Sequence, residues 1–207
     1  DKVGVAQVNV LDKAIHLAVE DLFSATNFIL DNADQFGVNP SNIVISGSSA
    51  GAISVMQAEY EIANATQWAS VLPAGFNYAG VMSFSGAILS REGKVDFKKS
   101  PCPTLMLHGT SDELVPYDQI KVFNLGFFGG GKLVERFKKY GLNYNMYHFT
   151  DYGHEIAGSM DTTLDLQLKF LETNVMQKKM RIVEAWISDP DVFKGSGPQS
   201  RKELYGN

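Results

Sequence analysis

The stretch from residue 42 to residue 51 constrains the fold of this chain more than any other. It reads Asn-Ile-Val-Ile-Ser-Gly-Ser-Ser-Ala-Gly, a short β-branched apolar run that leads into Gly-x-Ser-x-Gly. A helix-forming run, residues 52–65, follows it. Strand, sharp turn and helix in that order form a nucleophile elbow, which raises a serine hydroxyl above the end of a parallel strand. Because Gly-x-Ser-x-Gly alone is a weak signal, the flanking strand and helix patterns carry the prediction.

Ser49 is the predicted nucleophile of this elbow, with Gly47 and Gly51 two residues away on either side. At both glycine positions a side chain is expected to collide as the strand and the helix close on each other. Ser49 must then adopt a strained backbone conformation, which the packing around a functional site can hold. The backbone N–H of Ala50 is expected to face the space above Ser49, where negative charge develops in acyl transfer.

The composition is typical of a globular protein. The chain has 207 residues, 44% of them hydrophobic and 20% charged, which suits one domain with a substantial core. Its net charge is −5 and it has no basic block, so no nucleic-acid partner is expected. No apolar run approaches the roughly 20 residues that span a bilayer, so no membrane partner is expected. Cys102 is the single cysteine, which excludes an internal disulfide.

Strand and helix patterns alternate along the chain. Residues 1–11 have no clear period and are expected to form a loop or linker. A helix is predicted from Asp12, which can cap it, to Phe36, with Gly37 as its stop. Apolar strands are predicted at residues 43–46, 79–86, 104–107 and 143–149. Further helices are predicted at residues 50–65, 117–125 and 132–140, and from residue 159 into the 170s or 180s.

This alternation predicts an α/β fold with a doubly wound, mostly parallel sheet. Residues 87–103 are polar, and Lys94, Lys98 and Lys99 among them are expected to lie on the solvated surface. Residues 127–131 are expected to form a flexible, partly apolar loop. The main body of the fold is expected to comprise residues 1–188. Residues 189–207, which are polar and rich in Gly, Ser and Pro, are expected to form a peripheral tail.

Three residues that can form a catalytic triad each follow a different predicted strand. Ser49 follows the first strand, Asp112 the third and His154 the fourth. Functional loops gather beyond the carboxyl ends of parallel strands, so these side chains are expected to meet there. Their chain order, serine, acid, histidine, is that of the α/β-hydrolase arrangement. In this prediction His154 takes the Ser49 proton as general base, and Asp112 orients the imidazole.

Other residues are weaker candidates for these roles. Ser48 lacks the symmetric glycine frame of Ser49, and His108 is expected to shape the turn that directs Asp112. His148 lies inside a strand pattern. The alternative acids are Glu113, Asp118 and Asp151. Glu155, next to His154, is either a surface charge or a support for the histidine loop. The four histidines show no ligand spacing and there is no cysteine pair, so no metal and no cofactor is expected.

The chain resembles the α/β-hydrolase serine esterases. The resemblance covers residues 15–171 and rests on Gly-Ser-Ser-Ala-Gly at 47–51, Leu-His-Gly-Thr-Ser-Asp at 107–112 and Tyr-Gly-His at 152–154. Two finer features, Ser-Ala-Gly-Ala at 49–52 and Gly-Phe-Asn-Tyr-Ala-Gly at 75–80, look like the secreted esterases of gut Bacteroidetes, which are similar to feruloyl and acetyl-xylan esterases. That closer resemblance implies esters on plant polysaccharide side chains as substrates and a secreted or periplasmic location.

The resemblance also implies a part of the fold that this sequence does not show. α/β-Hydrolases place several strands before the elbow, and a His-Gly-Gly-type loop there gives the second oxyanion amide. Nothing before Ser49 matches that motif. We therefore expect the chain to be the C-terminal part of a catalytic domain with one central strand edge exposed. An N-terminal fragment of the same fold is the expected partner.

The predicted activity is hydrolysis of a carboxylic ester through an acyl-enzyme on Ser49. A small-molecule or oligosaccharide ester is expected as the substrate rather than a long-chain lipid, because no strongly apolar lid is visible. The closer resemblance implies that the ester carries a feruloyl or acetyl group. The alternatives are a prolyl-oligopeptidase-type serine peptidase and a catalytically inactive hydrolase-fold binding protein. The sequence is also compatible with a homo-oligomer. Five aromatic residues are pocket candidates that are better explained as core: Trp68, Phe76, Tyr78, Phe127 and Phe128.

Overall fold

A parallel sheet lies at the centre of the fold. The computed structural model describes residues 2–192, with side chains described from residue 9. Five strands of this part form the sheet, in the order β1 (Val44–Ser48), β2 (Gly80–Phe84), β4 (Thr104–Gly109), β7 (Tyr144–Phe149) and β8 (Val183–Ile187). Every neighbouring pair is parallel. The predicted α/β class with a mostly parallel sheet is therefore confirmed.

Helices cover both faces of this sheet. Those of the described residues are α1 (Lys2–Asp31), α2 (Ala33–Phe36), α3 (Ala50–Ala63), α4 (Gly130–Lys139) and α5 (Leu164–Phe170), which continues as a π-helical turn (Leu171–Met176). Side chains of α1, α3 and α4 share one apolar cluster with the sheet, and those of α5 and its π-helical turn share a second. None of the helices in the described part is both long enough and apolar enough to cross a membrane.

Helix α1 begins earlier than the sequence pattern indicates. The prediction of a loop or linker for residues 1–11 is wrong, because residues 2–11 form the first turns of α1. Asp12 therefore lies inside the helix, where it pairs with Arg91 instead of capping the start. Gly37, with a φ of 65°, ends α2 in the left-handed conformation that was expected of it.

A smaller antiparallel sheet lies beside the first. Its strands, within the described residues, are β3 (Ala87–Ser90), β6 (Leu125–Gly129) and β5 (Gln119–Val122), in that order. The start of the stretch expected to be polar, residues 87–90, is therefore a buried strand, whereas Lys94, Lys98 and Lys99 are exposed as expected. The predictions of a helix for 117–125 and a loop for 127–131 are wrong. The apolar residues of β3 are buried in the same core cluster as α3, and Gln57 of α3 binds both backbone groups of Leu89, at 2.9 and 3.1 Å.

The chain returns to the parallel sheet after α5. A 3₁₀ turn (His154–Gly158) and a short loop precede α5, so the last helix starts later than predicted. Helical structure ends at Met176, and β8, which the sequence pattern did not indicate, then pairs with β7. Of the predicted peripheral tail, residues 193–207 lie outside the described residues.

The five aromatic pocket candidates all belong to the core. Tyr78 and Phe128 are buried in the cluster formed with α1, α3 and α4. Trp68, Phe76 and Phe127 are partly buried and pack against the same cluster. Core packing, the preferred interpretation of these side chains, is therefore what the structure shows.

Glu59 of α3 is a carboxyl group inside this core. Only 4% of the residue is exposed, and its Oε1 accepts a hydrogen bond of 2.7 Å from the Cys102 N–H. Burial raises the pKa of Glu59 to about 7, against the opposing effect of the hydrogen bond from Cys102. The folded chain therefore favours the protonated carboxyl up to near-neutral pH.

Replacing Glu59 by glutamine is expected to flatten the pH dependence of stability. The stabilising preference for the protonated form is complete below pH 4.5 and is lost as the pH rises through about 7. The free energy of unfolding of the variant should exceed that of the parent by about 3 kcal/mol near pH 8 and differ little near pH 4. Urea unfolding at both pH values measures this. An equal gain in Glu92→Gln, at an exposed position, would contradict the prediction.

Candidate active site

Ser49 lies in the sharp turn between β1 and α3. Its φ and ψ are 53° and −117°, a conformation that is strained for a residue with a side chain. Hydrogen bonds hold the turn on both sides, because the Ser49 N–H donates to the Phe84 carbonyl at 2.9 Å and the Ser49 carbonyl accepts from the Ile53 N–H at 3.0 Å. The serine therefore sits where the carboxyl end of β1 meets the first turn of α3.

The two elbow glycines differ in what their surroundings allow. A Cβ added at Gly47 lies 2.2 Å from the Gly51 carbonyl oxygen and 2.7 Å from the Ala52 nitrogen, so a side chain does not fit there. A Cβ added at Gly51 meets no atom of the described residues within 4 Å. The collision expected at both positions is thus found at Gly47 and not at Gly51.

Gly47→Ala is expected to damage the elbow, and Gly51→Ala to leave it intact. The clash at Gly47 is with backbone atoms, so strand and helix must separate, which costs about 3 kcal/mol of stability. A displacement of about 1 Å should slow reactions of Ser49 by about 100-fold. Gly51→Ala removes a helical glycine and should add about 0.5 to 1 kcal/mol. Chemical unfolding and fluorophosphonate labelling of both variants measure this, and equal losses in the two would contradict it.

His154 connects Ser49 to Asp112. Its Nε2 lies 2.8 Å from Ser49 Oγ. Its Nδ1 lies 2.9 Å from Asp112 Oδ2 and 3.1 Å from Oδ1. An ionised carboxylate only accepts hydrogen bonds, so Nδ1 carries the proton and Nε2 is left to accept the proton of the serine hydroxyl. The structure brings the three predicted residues into one hydrogen-bonded chain.

Asp112 is a buried carboxylate surrounded by donors. The N–H groups of Leu114 and Val115 donate to its Oδ1 at 2.9 and 3.0 Å. Burial alone raises the pKa of Asp112, but hydrogen bonds from His108, His154 and Val115 outweigh it and hold the pKa well below its ordinary value. Asp112 therefore stays ionised and can balance a positive charge on the His154 imidazole.

The loops that follow β4 and β7 are tied to each other. The Ser111 N–H donates to the Tyr152 carbonyl at 2.9 Å, and the Asp151 N–H donates to Thr110 Oγ1 at 2.9 Å. Gly109 permits this approach, because a Cβ added there lies 2.3 Å from the Tyr152 carbonyl oxygen. These contacts fix the distance between the acid and the histidine.

Two neighbours of the triad steady the turn that carries the histidine. Ser48 Oγ donates to the Ala157 carbonyl at 2.5 Å, across 109 residues of sequence. Glu155 is buried, and its Oε1 accepts a hydrogen bond of 3.0 Å from the Gly153 N–H. Of the two interpretations left open for Glu155, the structure supports the one in which it steadies the histidine loop. The Ser48 contact escapes sequence reasoning because no local motif joins such distant residues.

The remaining alternatives lie outside this hydrogen-bonded chain. Glu113, Asp118 and Asp151 are exposed. His148 is buried, and its Nδ1 lies 2.7 Å from the Tyr117 hydroxyl oxygen. Within residues 2–192, no three or more His, Cys, Asp or Glu side chains are grouped so that they could hold a metal ion.

Solved structures that resemble this chain share its fold at low sequence identity. Native Est2, a thermophilic esterase from the planctomycete Thermogutta terrifontis, is 23% identical with a TM-score of 0.53, over 74% of this chain and 62% of that one. A truncated carbohydrate esterase from gut microbiota is 16% identical with a TM-score of 0.51, over 74% and 67%. A puromycin-hydrolyzing peptidase of Mycobacterium tuberculosis is 19% identical with a TM-score of 0.50, over 81% and 27%. This chain therefore spans less than two thirds of Est2 and of the peptidase.

The sequence also matches a protein family over most of its length. The family profile described as phospholipase/carboxylesterase covers residues 8–175, a range that includes Ser49, Asp112 and His154. A comparison with curated proteins gave no match. Matched from α1 to the π-helical turn, the chain belongs to the phospholipase/carboxylesterase family of α/β-hydrolases.

Proposed function

We propose that the protein is a serine carboxylic-ester hydrolase that works through an acyl-enzyme on Ser49. The observation that carries the proposal is the chain from Ser49 Oγ through His154 to Asp112, with contacts of 2.8 and 2.9 Å. His154 takes the hydroxyl proton as Ser49 attacks the ester carbonyl, and returns it to the leaving alcohol. Asp112 stabilises the imidazolium. Water, activated by the same imidazole, then releases the acid.

Ala50 is the proposed donor of one oxyanion hydrogen bond. It is the first residue of α3, where backbone N–H groups lack partners within the helix and the helix dipole favours negative charge. A donor in such a position stabilises the tetrahedral intermediate, and losing one costs about 10² to 10³ in rate. We assign the second donor to a part of the protein outside this chain.

A strand from an N-terminal fragment of the same fold is the proposed neighbour of β1. Among the described residues β1 pairs with β2 alone, so the strand that leads to the nucleophile is an edge strand. An exposed edge leaves a row of backbone donors and acceptors without partners. The match with Est2 covers 62% of that chain, which leaves length for such a fragment.

The proposed substrate is a small-molecule or oligosaccharide ester that carries a feruloyl or acetyl group. The carbohydrate esterase among the structures of the same fold supports this choice over a lipid ester. The second candidate is a serine peptidase, which the peptidase of the same fold favours. Turnover assays with four substrates separate the esterase from the peptidase: an aryl acetate, methyl ferulate, an acetylated xylo-oligosaccharide and a peptide anilide. Turnover of the anilide without turnover of any ester would overturn the esterase proposal.

A fluorophosphonate probe tests the mechanism independently of the substrate. It should form a covalent adduct on Ser49, because the probe needs only an activated serine. Mass spectrometry of the intact labelled protein identifies the adduct and any companion fragment that copurifies. Absence of labelling in folded protein would instead support the catalytically inactive binding protein.

A further inference from the structure

His108 is a second buried imidazole beside Asp112. It lies near the end of β4 and is 1% exposed. Its Nε2 is 3.4 Å from Asp112 Oδ2 and 3.1 Å from the Val115 carbonyl oxygen. Oδ2 is the same carboxylate oxygen that His154 Nδ1 contacts at 2.9 Å. Two imidazoles therefore approach the same oxygen of this carboxylate.

The tautomer of His108 is set by the first residue of α4. The Gly130 N–H donates to His108 Nδ1 at 3.2 Å, and a ring nitrogen that accepts a hydrogen bond carries no proton. In the neutral imidazole the proton is then on Nε2, which faces Asp112 and the Val115 carbonyl. A Cβ added at Gly130 lies 2.9 Å from His108 Nδ1, so a side chain there would crowd the contact.

We infer that His108 is a positioning residue, whose Nε2–H holds Asp112 in the orientation that meets His154. The backbone N–H groups of Leu114 and Val115 fix Oδ1 but leave Oδ2 free to move about that anchor. The His108 Nε2–H, which donates to the Val115 carbonyl at 3.1 Å, adds a longer contact of 3.4 Å to Oδ2, the oxygen that His154 also contacts. The inference rests on the proposed function, because the position of Asp112 matters only if His154 acts as a base.

Other titratable groups pack around this pair. The Tyr117 ring meets His108 edge-on, with 5.7 Å between ring centroids, and its hydroxyl oxygen is 2.7 Å from His148 Nδ1. His148 lies opposite His108 in the register of β7 with β4, and it faces Glu184, which pairs with Lys138. Burial lowers the pKa of His148 and raises that of Tyr117 to about 12. Both side chains should therefore stay uncharged from about pH 7 to 9.

Two leucine variants separate this role from a structural one. His108→Leu and His148→Leu each remove a 1%-exposed imidazole from paired positions of neighbouring strands, but only His108 contacts Asp112. The rate constant of fluorophosphonate labelling, measured from about pH 5 to 10, is the readout. His108→Leu should be about tenfold slower at its plateau, the effect of one hydrogen bond to a charged group. Its pH midpoint should rise by up to about one unit, because Asp112 then presents more charge to His154.

The control and the conservative variant complete the test. His148→Leu should keep the midpoint of the parent protein. His108→Gln, whose amide can reach Asp112, should restore most of the labelling rate. Thermal unfolding shows which variants are folded, and His108→Asn, too short to reach the carboxylate, replaces the leucine variant if that one does not fold.

The outcomes distinguish this inference from the proposed function. No labelling of the parent protein would overturn the proposed function and the inference with it. Labelling of the parent, together with the same midpoint and plateau in His108→Leu as in His148→Leu, would overturn the inference alone. A midpoint shift confined to the variants that lose the donor to Asp112 supports it.

Discussion

Replacing Ser49 by alanine is expected to abolish fluorophosphonate labelling and to lower kcat for ester hydrolysis by about 10⁶-fold. The variant lacks the hydroxyl oxygen that lies 2.8 Å from His154 Nε2, so no acyl-enzyme can form. The backbone hydrogen bonds that hold the turn do not involve the hydroxyl, so the fold should persist. Any activity left would come from substrate binding and the oxyanion donors.

Ser48→Ala is the matched comparison, because it removes the adjacent serine hydroxyl. That hydroxyl bonds to the Ala157 carbonyl at 2.5 Å, and its loss should cost about 1 kcal/mol of stability. Labelling should still occur, at a rate lowered only a few-fold by the weaker hold on the histidine turn. If Ser49→Ala is still labelled, or if labelling is lost in Ser48→Ala alone, Ser49 is not the nucleophile.

The parallel sheet could be predicted because its inner strands are buried on both faces and read as apolar runs. The smaller sheet could not, since β5 and β6, although they pair locally as a hairpin, show no strand pattern, and β3 depends on contacts with residues distant in sequence. Strand β5 is exposed along its whole length, and β6 contains glycines, so neither has a clear period. Strand β3 is held by Gln57, 32 residues before it. Helix α1 was placed too short because the mixed pattern of residues 1–11 hides its first turns.

The candidate site could be located because each of its members follows a strand in a short motif. The order of Ser49, Asp112 and His154 along the chain indicated that they would meet, but not how they are held. The tie between Ser48 and Ala157 spans 109 residues, and no spacing rule indicates it. The contact of His108 with Asp112 did have a local signal, His-Gly-x-x-Asp, but that spacing by itself indicates only a turn.

Asp112→Asn is expected to lower kcat by about 10⁴-fold while leaving the fold intact. The N–H groups of Leu114 and Val115 both donate to Oδ1, so the amide oxygen of asparagine should take that position. The amide NH₂ must then replace Oδ2, which lies 2.9 Å from His154 Nδ1. Facing a donor, Nδ1 becomes an acceptor and the ring proton moves to Nε2. His154 can then no longer accept the proton of the serine.

The same NH₂ would also face His108 Nε2, which lies 3.4 Å from Oδ2 and carries a proton of its own. The asparagine amide should therefore be unable to accept a hydrogen bond from either His154 or His108. The loss of kcat should exceed the loss of labelling rate in His108→Leu by about three orders of magnitude. Steady-state ester hydrolysis, with circular dichroism to verify folding, measures this. Glu113→Gln, an exposed neighbour, should change kcat by less than about twofold. If Asp112→Asn loses no more than that control, Asp112 does not set the tautomer of His154, and the acid must be sought among the exposed alternatives.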